Sequence, residues 1–323
     1  MGVIQRMFSG LAVALALGLG AGCLLAAVAA LGGRFSWRPD VLTHFAPFWL
    51  AGALVALLLG AVLVPAALRA PILILGGLGV VASAALILPE LTRTIRPPVP
   101  ASTPHQLRLI QLNAWNENVD VEGTADWIVR QQPDLVLVEE IEAPLRAALV
   151  KRGFHYSRGM VRMAVFSRAE PIATPFQIPE SAWGQLPPFA RGAFDLGYGR
   201  FDVVATHLTW PTRGFQKDQI KALGDLVDRY DKRRLILVGD FNLTPWSFAL
   251  RRIDRTYGLE RRDRAMFSWP GRPFAHGRIM SPTPFLPIDH IYAGSAWRTV
   301  KIERGPLVGS DHYPVLVVLA LAD

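Results

Sequence analysis

Three stretches without a charged side chain dominate the start of the chain, at residues 7–33, 44–68 and 70–89. They are 27, 25 and 20 residues long, and about 20 apolar residues in a helix cross the hydrocarbon core of a bilayer. A core helix of a soluble enzyme carries a polar face, and these stretches have none. They predict three transmembrane helices forming a membrane anchor over residues 1–96. Phe48 and Trp49 suit an interfacial position, and Pro65 is tolerable inside a membrane bundle. Gly60, Ala61 and the glycines at 76–79 offer close helix contacts. The only cysteine, Cys23, excludes an intrachain disulfide and a thiolate metal cage, and reads as a small buried apolar residue.

The first stretch has an alternative reading as a signal peptide, with Arg6 ahead of it and Ala27-Val28-Ala29 as a cleavage-like site. Its apolar part is longer than the roughly 7–15 residues of such a segment, which favours an uncleaved span. Orientation follows from parity. Three spans with the N-terminus inside, or two after cleavage, both leave the C-terminal part outside. The expected location is therefore a membrane crossed several times, with the C-terminal part on its outer face. Arginine placement points the other way: Arg34, Arg38, Arg93 and Arg96 would then lie outside, against the positive-inside tendency.

An apolar fraction of 51% excludes a disordered chain. Residues up to 104 hold six basic and two acidic side chains, and the rest hold 28 and 24. The positive balance is thus scattered along the chain, and no dense cationic groove for nucleic acid is evident from charge.

Pro97, Pro98, Pro100 and Pro104 make residues 97–104 a helix-breaking linker. Beyond it, residues 105–323 alternate between element types. Strands are expected at 107–112, 135–138, 164–167, 200–206, 235–238, 288–292 and 315–321, and helices at 124–132, 143–152 and 216–230. Pro- and Gly-rich stretches near 171–190 and 267–287 read as loops. The pattern is mixed α/β, with no internal repeat and no phosphate-binding glycine loop.

Polar residues gather where these strands end. Asn113, Glu139 with Glu140, His207, Asp240 with Asn242, Asp289 with His290, and Asp311 with His312 each follow or border a strand. Any one alone is ordinary turn chemistry. Together they resemble a site, because α/β sheets collect functional groups beyond strand ends. Carboxylates suit a hard divalent ion, and imidazoles and amides suit phosphate oxygens.

The order Leu112-Asn113, Glu140, Thr206-His207-Leu208, Gly239-Asp240-Phe241-Asn242, Asp289-His290 and Gly309-Ser310-Asp311-His312-Tyr313-Pro314 resembles the endonuclease/exonuclease/phosphatase superfamily (DNase I-like), in its bacterial membrane-anchored branch. The resemblance covers about residues 105–321. It implies a four-layer α/β sandwich preceded by three transmembrane helices, and a metal-dependent phosphoric ester hydrolase using Mg²⁺, with Mn²⁺ as the alternative ion.

The same resemblance implies roles. Glu140 would be the main metal ligand, Asn113 would position it or contact the ion, and Asp311 would complete the metal or water environment. Asp240 would orient and deprotonate the attacking water. Asn242 would hydrogen-bond a phosphate oxygen. His312, held in its tautomer by Asp289, would sit against the scissile phosphate. His207 would contact phosphate or help protonate the leaving group. Many relatives carry Gln where this chain has Glu139. That residue is either a second ligand or a side chain on the other face of its strand, and alternation along a strand favours the latter. His290 and His155 read as structural or surface residues. Glu117 and Asp120 read as solvated residues in the loop after Asn113.

Trp210, Trp246, Phe248, Trp269, Phe274 and Phe285 crowd the motif-bearing loops, with Arg213, Lys217, Arg272 and Arg278 nearby. They suit packing, base stacking or a bilayer surface. The expected partners are a phosphate-ester substrate, either a lipid-linked phosphate or pyrophosphate or a nucleic acid, and the lipid bilayer. No obligate protein partner is evident. A non-catalytic membrane binding module is the competing class, and the intact set of carboxylates and imidazoles argues against it.

Overall fold

A computed structural model describes residues 3–172, 186–271 and 283–322. The chain divides into two units, one of Met1–Arg93 with Thr244–Arg251, the other of Thr94–Leu243 with Arg252–Asp323.

In the first unit, α1 (Val3–Leu31), α2 (Trp37–Asp40), α3 (Ala46–Val62) and α4 (Ala66–Leu91) follow one another. Helices α1, α3 and α4 pack pairwise. Their contacts are lined by small residues: Ala16, Ala27, Ala30, Ala53 and Ala56 are fully buried. A Cβ on Gly60 would meet Ile72, and one on Gly76 or Gly79 would press on Leu57 or Ala53, whereas Gly77 faces open space. Close backbone approach is how helices associate in lipid, where burying apolar side chains gains nothing. Outward, the bundle exposes Phe8, Leu11, Leu25, Leu54, Leu58, Ile74 and Val81. Among the described residues, three helices are long and apolar enough to cross a membrane: Met7–Arg34, Trp37–Val62 and Ala66–Leu91.

Pro65 is not inside a span. It is the N-cap of α4, and the hairpin turns between Val62 and Ala66. Proline's fixed φ and missing N–H suit a helix start, where no intrahelical partner is lost. Arg69 consequently lies in the first turns of α4, its Nε donating to the Val64 carbonyl at 2.8 Å.

Within this unit a buried acid caps a helix. The Asp40 carboxylate accepts from the Phe248 and Ala249 amides at 2.8 and 2.9 Å, at the start of α8 (Phe248–Thr256). The His44 Nδ1 accepts from the Thr244 amide at 3.2 Å.

The second unit holds β1 (Gln106–Asn113), α5 (Val121–Arg130), β2 (Leu135–Glu139), α6 (Ala143–Lys151), β3 (His155–Arg158), β4 (Ala164–Ser167), β5 (Phe189–Asp195), β6 (Arg200–His207), α7 (Gln216–Val227) and β7 (Leu235–Asp240). After α8 come β8 (Glu260–Arg261), β9 (Asp289–Ala293), β10 (Trp297–Arg304) and β11 (Val315–Leu321). They form a six-stranded sheet, β10-β11-β1-β2-β4-β3, and a five-stranded sheet, β5-β6-β7-β9-β8. Both are mixed, with parallel β1–β2 and β6–β7 pairs beside antiparallel neighbours.

Strand alternation explains the layering. Leu107, Leu109, Leu135 and Leu137 of one sheet share a core with Val203, Ala205, Ile236, Val238 and Ile291 of the other. The opposite parity, Ile110, Leu112, Val136 and Val138, packs against Ala125 and Ile128 of α5 and Leu145 and Leu149 of α6. Helix α7 buries Leu223, Leu226 and Val227. This is the four-layer α/β sandwich expected.

Five of these elements were not anticipated: β3, β5, α8, β8 and β10. β5 begins inside the stretch read as a loop at 171–190, of which residues 173–185 lie outside the described set. β10 is an edge strand whose register shifts between Thr299 and Lys301, so its alternation breaks midway. Helix α8 is short and half charged.

Candidate active site

The inward parity of both sheets runs on to the strand ends and becomes polar there. Leu107 and Leu109 lead to Gln111 and Asn113, Leu135 and Leu137 to Glu139, Val203 and Ala205 to His207, and Ile236 and Val238 to Asp240. On β9, Ile291 and Ala293 point the same way as Asp289. Register places these groups side by side: Asn113 beside Glu139, and His207 beside Asp240, itself beside Asp289. Thus the periodicity that builds the core also delivers the polar cluster.

Glu140 lies one residue past β2, where alternation would turn it away. Its backbone is left-handed, φ 52°, which brings the side chain back. Such a conformation costs a non-glycine residue of order 1–3 kcal/mol and persists where surroundings fix it. Asn242 adopts a similar one, φ 50°. Gly239, φ 149°, is the residue the β6–β7 pair requires, because a Cβ there would run into the Thr206 carbonyl oxygen.

Asn113 Nδ2 stands 3.2 Å from both Glu140 Oε1 and Asp240 Oδ2, and its Oδ1 accepts from the Trp115 amide at 3.0 Å. The Asn116 amide donates to Glu140 Oε2 at 3.3 Å. His207 Nε2 lies 3.4 Å from Asp240 Oδ2 and 4.0 Å from Glu140 Oε1. The Asn242 amide donates to Asp240 Oδ1 at 2.9 Å, while Asn242 Nδ2 donates to the Leu208 carbonyl at 2.8 Å and lies 3.3 Å from His207 Nε2. His312 enters from the loop before β11. Its Nδ1 is 2.8 Å from Asp289 Oδ2 and its Nε2 3.7 Å from Asp240 Oδ2. Ser310 ties that loop down, its hydroxyl donating to the Asn113 carbonyl at 2.6 Å. Glu140, Asp240 and His312 therefore belong to one cluster, as do Asn113, His207, Asn242 and Asp289.

Burial shapes the charges. It raises the Asp240 carboxyl to about 6, with His312 and His207 pulling the other way. For His312, burial opposes the charged ring, but Asp289 and Asp240 outweigh it and raise the imidazole to about 10. Burial works against ionising Asp289 too; the His312 ring overcomes it and holds the carboxyl low. Burial raises Asp311, whose Oδ2 accepts from Trp269 Nε1 at 2.9 Å.

One expectation is corrected. Glu139 is not on the outer face of β2: it shares the inter-sheet face with Asn113, fully buried, with its carboxyl held well above the ordinary range by burial and then by Asp289. Glu140 is already off the strand, so strand alternation does not set Glu139 and Glu140 on opposite faces. Asp120 is the N-cap of α5, accepting from the Gly123 amide at 2.9 Å, and Glu117 is exposed. His290 is buried, its ring nitrogens 2.8 Å from Asp263 Oδ2 and 2.8 Å from the Leu243 carbonyl. His155 is exposed on β3.

Among the aromatics, Trp246 is buried, and Trp210, 40% exposed, meets Trp269 edge-on at 5.4 Å. Trp269 lies 6.5 Å from the His312 ring and 6.1 Å from Phe285. Arg213 and Lys217 are exposed; Arg272, Phe274 and Arg278 lie outside the described residues. Sequence reasoning missed Gln111, whose only signal was a polar residue inside an otherwise apolar strand, and gave Ser310 no role beyond its place in the motif.

Among the described residues, no group of three or more His, Cys, Asp or Glu is placed to hold a metal ion by itself. The donor chemistry still fits one kind of ion. Glu140 is a partly exposed carboxylate beside the buried cluster, near enough to the Asp311 carboxylate to help raise it. Mg²⁺ is commonly held by one or two carboxylates, with water and phosphate completing its shell.

The profile of the Endonuclease/Exonuclease/phosphatase family matches residues 110–312, more than half of the chain. No curated protein matches. Three solved structures share the fold. An endonuclease/exonuclease/phosphatase from Beutenbergia cavernae DSM 12333 is 21% identical, over 68% of this chain and 72% of its own, at a TM-score of 0.52. A mannosyl-6-phosphatase of Bacteroides thetaiotaomicron VPI-5482 is 16% identical, over 67% and 100%, at 0.50. TDP2 of D. rerio, complexed with a single-strand DNA product, is 12% identical, over 66% and 98%, at 0.50. With the family profile spanning the strands and loops that build this cluster, the chain belongs to the endonuclease/exonuclease/phosphatase family.

Proposed function

We propose that this protein is a Mg²⁺-dependent hydrolase of phosphate esters, anchored in a bacterial cytoplasmic membrane by three helices, with its catalytic domain on the outer face. The observation that carries this reading is the meeting of Glu140, His207, Asp240, Asp289 and His312 beyond the strand ends. Their chemistry matches in-line displacement at phosphorus, where negative charge gathers on oxygens that fixed cations and donors must meet.

In this mechanism Asp240 takes the proton of the attacking water. Its Oδ1 accepts from the Asn242 amide, and its Oδ2, which also meets Asn113, His207 and His312, serves the reacting centre. His312 gives its Nδ1 proton to Asp289, and because the acids Asp289 and Asp240 keep the ring charged, Nε2 carries a second proton to present to a phosphate oxygen. His207 meets phosphate or protonates the leaving group. Asn242 donates to phosphate through the amide hydrogen not bound by Leu208. Glu140, with Asp311, would hold the divalent ion, while Asn113 orients Glu140 through its amide nitrogen. When bound, that ion neutralises charge on the phosphate and polarises the P–O bond.

The apolar helices favour a lipid-linked phosphate or pyrophosphate as substrate. The structural likeness to an enzyme holding a DNA product, together with exposed Trp210, supports nucleic acid as the second reading. The test is detergent-solubilised full-length protein with Mg²⁺ against plasmid DNA, a prenyl pyrophosphate and a phosphoinositide, with Asp240→Asn as control. Turnover of one substrate by the wild type alone establishes the class. Turnover of none removes the reading.

A further inference from the structure

Gln111 is fully buried on the inter-sheet face of β1. Its Nε2 stands 2.9 Å from Glu139 Oε2 and 2.7 Å from Asp289 Oδ1. A primary amide carries two N–H hydrogens, so each acid can take one. The other oxygen of Asp289 accepts from His312 Nδ1 at 2.8 Å. Asp289 is therefore gripped from both ends, by Gln111 on one oxygen and by His312 on the other. A carboxylate held at one oxygen can still swing about its side-chain torsion, whereas one held at both has its plane fixed.

The neighbours make this restraint matter. Glu139 on β2, and Asp240 and Asp289 on the paired strands β7 and β9 of the other sheet, are three buried acids, and repulsion between ionised acids is strong where water is excluded. The Ser268 hydroxyl also lies beside Asp289. A hydroxyl rotor can point elsewhere; the Gln111 amide, between two acids, has no better place to go.

We propose that Gln111 is a positioning residue for the reaction. By sharing one amide between Glu139 and Asp289, it fixes the Asp289 carboxylate and, through it, the angle at which the His312 ring faces phosphate. This rests on the reading of His312 given above and extends it to a residue that touches neither phosphate nor metal.

The test uses detergent-solubilised full-length protein with Mg²⁺ and bis(4-nitrophenyl) phosphate. Gln111→Met and Gln111→Leu remove the amide while keeping an apolar side chain of comparable length. Groups that orient a site's reacting residues commonly matter by about 10–100-fold, so kcat falls by that factor while KM stays within about twofold. In protein labelled with ¹⁵N at histidine, the hydrogen-bonded Nδ1 proton of His312, assigned with His312→Asn, shifts or exchanges faster with water. The double variant Gln111→Leu/Glu139→Gln restores an amide on the same face and recovers part of the loss in kcat.

A folded Gln111→Met protein with wild-type kcat and an unmoved His312 proton overturns the proposal. So does a loss of kcat with that proton unmoved and no recovery in the double variant, which marks Gln111 as structural only. Should the wild type be inert toward every phosphate ester, the hydrolase reading falls by itself. The His312 proton still decides whether Gln111 governs that ring.

Discussion

His312 and Asp289 lie 23 positions apart in the chain, yet the ring Nδ1 of one is 2.8 Å from the carboxylate Oδ2 of the other, and both are buried. The pairing joins the loop before β11 to the first residue of β9, and so links the two sheets at the mouth of their shared core. It gives His312 a fixed ring orientation and a counter-charge, and leaves its second nitrogen 3.7 Å from Asp240.

Removing either partner of the reacting pair should stop chemistry and spare the fold. Asp240→Asn and His312→Ala are each expected to lower kcat by about 10²–10³, the usual effect of losing one preorganised group. Initial rates with Mg²⁺ and a chromogenic phosphodiester, beside thermal melts, check this. Near-wild-type turnover in either variant would remove its assignment.

Metal dependence should run through Glu140. Chelation with EDTA is expected to abolish turnover, and Mg²⁺ or Mn²⁺ to restore it. Glu140→Gln keeps only one of the two acceptor oxygens that meet Asn113 and Asn116 and loses the charge, so it should need far more Mg²⁺ for half-maximal rate. Titrating Mg²⁺ against rate in both proteins measures the difference; identical curves would exclude Glu140 as the ligand.

Acid should unfold the second unit partly through Asp263. This buried carboxylate lies 2.8 Å from His290 Nδ1 and 3.4 Å from Arg261. Burial opposes its ionisation, but those partners prevail and hold it well below the usual carboxylate range. A depressed carboxylate stabilises the fold fully above its unfolded value of about 3.9 and loses that contribution as pH falls further. Melting temperature should therefore drop steeply below about pH 4. In Asp263→Asn it should be lower at pH 7 and change less on acidification.

Gly239→Ala should be costly although it adds one methyl. The new Cβ would collide with the Thr206 carbonyl oxygen at a φ that disfavours side chains. Such incompatible substitutions typically destabilise by more than about 1 kcal/mol, and a thermal or urea melt reads it. An unchanged melt would mean that the β6–β7 pair tolerates the methyl.

In the first unit, Asp40→Ala leaves the Phe248 and Ala249 amides without their acceptor. Stability in detergent should fall by about 1–3 kcal/mol, the cost of orphaned buried donors. Asp40→Asn, which keeps an oxygen acceptor, should lose less. Equal losses in the two variants would show that charge, and not hydrogen bonding, holds this contact.

The membrane-compatible helices and most of the strands could be read from hydrophobic patterning, because lipid and a two-sheet core each impose a distinct periodicity on a sequence. The site's residue types could be read as well, since each polar group interrupts a strand where the apolar rhythm stops. Local pattern could not say which way a residue faces once regular backbone ends. Glu140 points into the cluster only because its φ is 52°, and Glu139, the neighbour assigned to the outer face, is buried inside with Gln111 and Asp289. Nor could sequence show that Asp40 would cap a helix 208 residues away. Spacing along a chain specifies elements. The packing of elements decides which side chains share a hydrogen, and that depends on dihedral angles and register that no local pattern encodes.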